Sequence, residues 1–155
     1  MSMVLTEIRK VTLKDLKQVV NLEHKIFKEN AFSKKLLKNL IEHNTLFLKL
    51  EIGKVKKKII GFIIVIRDKN ERVNMVNFLI KQKFQSKGFG SYLLQKTIEQ
   101  VKNIDGIKKI VLNVQISNLV AINLYEKFKF KKNPDILENY YQSGENAYLM
   151  ELEID

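Results

Sequence analysis

The order of apolar and polar positions along the chain divides it into segments of two periods. Residues 4–11 alternate and read as a first strand. Thr12-Leu13-Lys14-Asp15 reads as a helix start, with a capping hydroxyl and an acid in the first turn, and the helix runs to about residue 28 on the apolar positions Leu16, Val19, Val20, Ile26 and Phe27. Glu29-Asn30-Ala31-Phe32 breaks that period, and Ser33 caps a second helix to about residue 43. Residues 45–52 and 57–67 form a hairpin across Gly53, residues 68–71 turn, and 72–81, rich in β-branched and aromatic side chains, read as a strand. Leu94, Ile98 and Val101 then recur at i, i+4, i+7 in a helix to about residue 103. A turn at Asp105-Gly106, a strand over 108–115, and a helix over 118–128 capped by Ser117 follow. Pro134 ends the next connection, Tyr140 to Gly144 read as strand then turn, and 147–154 as the last strand.

Two features single out the middle of the chain. In the strand over 72–81, Val73 and Met75 share one face while Val76, Phe78 and Ile80 fall on the other, so the alternation slips. Either a β-bulge or burial of both faces produces that pattern. Directly after it, Phe84-Gln85-Ser86-Lys87-Gly88-Phe89-Gly90-Ser91 joins strand to helix through two glycines. A helix N-terminus leaves amides unpaired and carries partial positive charge, and glycine admits close approach, so the join is a potential phosphate cradle. The alternative is a turn that needs positive φ at Gly88 or Gly90. A dinucleotide fingerprint would need glycine where Leu93 stands, and the NTPase phosphate loop does not fit. Lys87-Gly88-Phe89-Gly90 matches the start of an RNA-binding RNP1 signature, but Ser91 and Leu94 take places that the signature gives to other residues, and a helical period begins where strand is needed.

Composition narrows the class. At 155 residues, with 45% hydrophobic and 29% charged positions, the chain reads as one globular domain, 1–155. The absence of cysteine removes disulfides, a thiolate nucleophile and soft metal sites, and His24 and His43 are too few for zinc. The longest apolar run, around Gly61, is far shorter than the roughly 18 residues of a membrane helix, so an intracellular, cytoplasmic protein without a membrane partner is expected. A net charge of +11 invites nucleic acid, yet of 28 basic residues only Arg9, Arg67 and Arg72 are arginine; the remaining 25 (28 less 3) are dispersed lysines. Arginine is the residue favoured for bidentate phosphate and base contacts, so no specific nucleic-acid partner is expected.

Gln85-Ser86-Lys87-Gly88-Phe89-Gly90 resembles the Gln/Arg-x-x-Gly-x-Gly/Ala loop of the GCN5-related N-acetyltransferase (GNAT) superfamily, and the order of elements is similar over essentially the whole chain. Val114 to Asn118, Ala121, Tyr125, Phe130, Tyr140-Tyr141 and Gly144 to Tyr148 resemble the N-terminal (α-amino) acetyltransferases, both the ribosomal-protein type and the eukaryotic catalytic subunits. The resemblance implies an α/β (α+β) fold: a mixed, mostly antiparallel sheet flanked by helices on both faces. It implies acetyl-CoA as donor, held by the loop amides of Gln85, Ser86, Lys87, Gly88, Phe89, Gly90 and Ser91, by strand backbone at Phe78, Leu79 and Ile80, and by Asn118. Tyr125 would touch the donor and protonate the leaving thiolate. Phe27, Glu29, Phe32, Tyr140 and Tyr141 would shape a site for a protein or peptide N-terminus.

The chain departs from the pattern where a base is often found. Asn74 and Asn113 stand at strand positions that frequently carry Tyr, Glu or His, and asparagine can orient a water but cannot take the proton. Glu29 is then the candidate for base or amine anchor. Lys129 replaces a family glycine before Phe130. A free α-amine, pKa about 7.7 to 8.0, costs roughly 1 to 1.4 kcal/mol to neutralise at pH 7, against roughly 4.6 for a lysine near 10.4. An α-amine acceptor follows, with an auxiliary or ribosome-anchoring subunit as a possible partner. The rivals are an acetyltransferase for a small amine or lysine side chain and, in another class, a basic RNA-binding module.

Overall fold

A computed structural model describes residues 5–154, so Val4, placed at the start of the first strand, lies outside the described residues. The elements are β1 (Thr6–Lys10), α1 (Leu16–Phe27), α2 (Lys34–Glu42), β2 (Leu46–Ile52), β3 (Lys58–Lys69), β4 (Arg72–Ile80), α3 (Phe89–Lys102), β5 (Lys109–Gln115), α4 (Leu119–Lys127), β6 (Lys131–Leu137) and β7 (Ala147–Glu153). The seven strands form one sheet in the order β1-β2-β3-β4-β5-β7-β6. Every neighbouring pair is antiparallel except β4 and β5. That parallel pair needs a crossover, and α3 supplies it.

Alternate residues of the central strands feed two cores. Ile63, Val65, Val73, Met75, Ile110 and Leu112 pack with Leu93, Leu94, Ile98 and Val101 of α3 and Ile122 of α4. Phe47, Phe62, Ile64 and Leu79 pack on the opposite face with Val19 and Leu22 of α1 and Leu37 and Ile41 of α2. Each such fully buried side chain contributes about 1.5–3 kcal/mol. The helices therefore flank both faces, as the resemblance implied.

The slip in β4 is a bulge. Met75 pairs with Val65 and Asn77 with Ile64, which leaves Val76 as the extra residue. The β4–β5 ladder closes at Met75 and Leu112, with no later pair among the described residues, so the ends of β4 and β5 part. A cavity opens between them.

Three local expectations change. The cap of α4 is Asn118 instead of Ser117: its Oδ1 accepts the Ala121 N–H at 3.3 Å. Pro134 lies within β6, an exposed edge strand whose pairing skips between Lys132 and Ile136, and an edge tolerates a residue without N–H. Its charged, unalternating sequence hid the strand. Tyr140 to Gly144 form no strand; they are a turn with Gly144 at φ 87°, closed by the Gly144 N–H on the Tyr141 carbonyl at 2.8 Å.

Candidate active site

The glycine loop is built for unpaired amides. A 3-10 turn at Gln82–Phe84 leads into it, and the Gln85 side chain donates Nε2–H to the Ile80 carbonyl at 2.9 Å, tying the loop to the end of β4. Ser86 and Gly88 take positive φ, 61° and 88°, which turns successive N–H groups toward one side. Gln85 spends its own N–H on Gln82, and Tyr92 is the first amide to bond back into the helix, to the Gly88 carbonyl at 3.0 Å. Between them, the amides of residues 86–91 meet no acceptor among the described residues. Gly90 lets α3 approach α4, since a Cβ there would stand 3.3 Å from Leu124 Cδ2. The result fits an anionic pyrophosphate.

A cavity of about 290 Å³ runs from this loop along β4 to α4, lined by Phe27, Phe78, Leu79, Ile80, Ala121 and Leu124 among others. Its apolar walls suit a pantetheine-like arm. A smaller cavity, about 70 Å³, continues from it between the parted ends of β4 and β5, and the two share Phe27, Phe78, Asn118 and Tyr125. Tyr125 is 6% exposed, packed between the rings of Phe78 and Phe130 at 6.2 and 5.7 Å. Loss of water pushes its hydroxyl well above the usual phenol range, with the neighbouring Tyr141 adding to the effect. It stays protonated and is available as a donor.

The inner cavity is rich in amide and carboxyl groups. Asn113 of β5 donates Nδ2–H to the Tyr140 hydroxyl at 2.8 Å, while its Oδ1, buried, has no partner among the described residues. Such an orphaned acceptor costs about 1–3 kcal/mol until a donor arrives. Burial first, then Tyr140 and Glu145, raise the Tyr141 hydroxyl too. Asn30, in the cavity wall after α1, and Ser143, in the loop before β7, clasp each other: Asn30 Nδ2–H to Ser143 Oγ at 3.1 Å, and Ser143 N–H to Asn30 Oδ1 at 3.0 Å. The acid of the cavity is Glu23.

Comparison with known proteins meets this geometry. The model of the acetyltransferase (GNAT) family matches residues 13–130. The chain belongs to that family. This acetyltransferase is 26% identical over 155 residues to the N-alpha-acetyltransferase of Sulfolobus acidocaldarius, covering 93% of this chain and 90% of the relative. Among solved structures, Ard1 from Thermoplasma volcanium superposes with a TM-score of 0.86 at 22% identity, over 97% of this chain and 98% of the other. The ribosomal-protein-S18-alanine N-acetyltransferase from Escherichia coli gives 0.80 at 25% identity, over 97% and 95%. Among the described residues of the acetyltransferase, no helix is long and apolar enough to cross a membrane, and no group of three His, Asp or Glu is placed to hold a metal ion.

The sequence expectations fall on both sides of the cleft wall. Phe78, Leu79, Ile80, Gln85, Ser86, Gly88, Gly90, Ser91, Asn118 and Tyr125 line the outer cavity, whereas the side chains of Lys87 and Phe89 do not. Phe27, Phe32, Asn113 and Tyr141 line the inner one; Tyr140 is half exposed, lines neither cavity, and meets the cleft through its hydrogen bond with Asn113 and its edge-on ring contact with Tyr141. Two backbone groups assigned to the donor have internal partners: the Phe78 N–H is held by Asn77 Oδ1 at 2.9 Å, and the Ile80 carbonyl by Gln85. Glu29 and Asn74 are not brought in. Glu29 is exposed on the 3-10 turn after α1 and lines neither cavity. Asn74 donates Nδ2–H to Asp68 at 3.3 Å and lies opposite Val111, inside the paired part of the β4–β5 ladder, whereas Asn77, beyond the extra residue at Val76, is the asparagine of the cleft.

Glu23, Asn30 and Asn77 were missed. Glu23 had a signal: it sits in the apolar stripe of α1, four residues after Val19 and three before Ile26, where a solvated charge does not belong. Asn30 and Asn77 had none, since their position in the cleft depends on a partner loop and a bulge.

Proposed function

We propose that this acetyltransferase moves an acetyl group from acetyl-CoA to the α-amine of a protein or peptide N-terminus, by direct attack of that amine. The observation that carries the reading is one continuous cleft with two chemically different ends, joined at Tyr125. Unpaired amides at the start of α3 and the exposed ammonium of Lys87 suit the donor's phosphates at one end. At the other end, the buried Asn113 Oδ1 suits an amine N–H, and the lining includes no Lys or Arg to repel an ammonium. The matched N-alpha-acetyltransferase supports the same class of acceptor.

Each residue then has a task. The β4 bulge parts the strands so that the acetyl group, the reactive part of the donor, can sit beside Phe78. Asn113 Oδ1 accepts from the attacking nitrogen and aims its lone pair. Tyr125 donates its proton to the departing sulfur. With no cysteine in the chain, no acyl-cysteine intermediate is available. The loops carrying Tyr141 and Asn30 cover the first residue of the acceptor.

Two peptides of one sequence test the reading. One has a blocked N-terminus and a free internal lysine, and the other a free N-terminus and a blocked lysine. The second is expected to react at least about tenfold faster, because roughly 3 kcal/mol separates the two deprotonation costs. Equal rates, or preference for the first, would overturn the N-terminal assignment. Calorimetry separates the donor question: acetyl-CoA binds, and its dephosphorylated pantetheine fragment does not.

A further inference from the structure

The cleft described above lacks an obvious proton acceptor on β4 and β5, since Asn77 and Asn113 cannot take a proton. Its acid comes from an element that lies across the cleft. Glu23 projects from α1, is 1% exposed, and lines the inner cavity together with Asn113 and Tyr125. Its Oε2 accepts the Phe32 N–H at 2.8 Å, and its Oε1 accepts Asn77 Nδ2–H at 2.5 Å. Among the described residues no Lys, Arg or His lies within salt-bridge distance of it. A carboxylate buried without a cation, in a cavity that must receive one, is poised for an ammonium.

We propose that Glu23 is the proton acceptor for the substrate α-ammonium, with Asn77 as the positioning residue that holds its carboxylate toward the cleft. The assignment rests on the N-terminal reading given above for the choice of acceptor. Each carboxylate oxygen has a second lone pair free beside the bond it already accepts. The ammonium surrenders one proton to Glu23, and the freed nitrogen lone pair forms the bond to the acetyl carbon while the carbon–sulfur bond breaks. The sulfur takes the Tyr125 proton. The nitrogen's surplus proton restores Tyr125, and Glu23 releases its own to water when the product leaves.

The surroundings set the working range. Burial raises the Glu23 carboxyl above the usual carboxylate range, while the Phe32 N–H, the Asn77 amide and His24 act in the opposite direction. The titratable groups near it are His24 on α1, whose Nε2 lies 3.1 Å from the Phe32 carbonyl, and Tyr125 and Tyr141 on the cleft wall; β4 and β5 contribute only amides. A base with its pKa lifted toward neutrality is suited to this transfer.

The test is the pH profile of kcat/KM on the peptide with a free N-terminus, for wild type, E23Q, E23D and N77A, with coenzyme A affinity measured on each. E23Q is expected to lose about tenfold or more near pH 6.5, and less than about threefold near pH 9, where the amine is already neutral. E23D recovers part of the loss. N77A keeps the acid limb but moves its midpoint upward, since the lost bond favoured the charged carboxyl. A loss of equal size at every pH is what a structural role gives, and it overturns the proposal, as does no loss. If E23Q fails to bind coenzyme A, wild type alone decides: a ¹³C-detected titration of the Glu23 carboxyl must share its midpoint with the acid limb. Separate midpoints overturn the assignment. If wild type acetylates only the lysine-bearing peptide, the N-terminal reading fails, and the same profiles on that acceptor still decide Glu23.

Discussion

Tyr125 and Glu23 show how burial converts ordinary side chains into candidates for proton work. Tyr125 is enclosed by Phe78 and Phe130 and keeps its proton, so the proposed donor role depends on the hydroxyl alone. Tyr125→Phe is expected to bind coenzyme A normally and to lower turnover about 100-fold; unchanged turnover with lower thermal stability would leave it only a packing role. Glu23 carries a second consequence, for stability. Its folded pKa is raised, so between the unfolded value near 4.3 and the folded one the native state holds the proton that the unfolded chain has lost. Its stabilising contribution is present at low pH and lost as pH rises through the folded value. The difference in melting temperature between E23Q and wild type should therefore move in favour of E23Q from pH 5 to pH 8, read by calorimetry. In sequence, Tyr125 was named by the resemblance to the acetyltransferase family, and the exposed Glu29 drew the acidic role in the same way. The place of Glu23 in the apolar stripe of α1 marks it for burial, but which groups it meets there is set by the packing of α1 on the sheet.

At the scale of elements, β4 and its connection to α3 decide the site. Gly88 is required for its φ of 88°, with open space where a Cβ would stand, so Gly88→Ala should fold, lose about 1 kcal/mol, and weaken coenzyme A binding by distorting the amide cradle. Gly61 is different. A Cβ there would lie 2.7 Å from the Leu79 carbonyl oxygen and 2.5 Å from Ile80 Cδ1, at the point where β3 supports the end of β4. Gly61→Ala is expected to cost about 1–3 kcal/mol in denaturant unfolding, as overpacking does, and to impair acetyl transfer along with stability. The strand, the glycine loop and the helix were readable because period 2 gave way to period 3.6 across a polar gap. The phase slip announced that β4 was irregular. Only the pairing with β3 showed a bulge at Val76, because a bulge is defined by what the neighbouring strand leaves unmatched.

Across the whole molecule, the site joins the two halves of the chain. The Asn30–Ser143 clasp spans 113 residues of sequence and ties the loop before β7 to Asn30 of the inner cavity wall, so Asn30→Ala should raise the KM for peptide several-fold and leave coenzyme A affinity unchanged in calorimetry. An equal weakening of both would place the clasp in the general stability of the fold. The alternating and helical runs, the polar breaks between them and the glycine loop determined the order of elements from β1 to α4 by themselves, because local periodicity and turn chemistry are properties of neighbouring residues. The same locality explains the missing edge strand at Lys131–Leu137, whose exposed charges carry no apolar signal and whose existence rests on pairing with β7. Tertiary structure alone decided that β4 and β5 part after Met75 and Leu112, that Asn77 instead of Asn74 enters the cleft, and that Glu23 meets Asn77 from a helix 54 residues earlier. These are contacts between distant segments, set by strand register and by the packing of α1 on the sheet, and residue order does not encode them one position at a time.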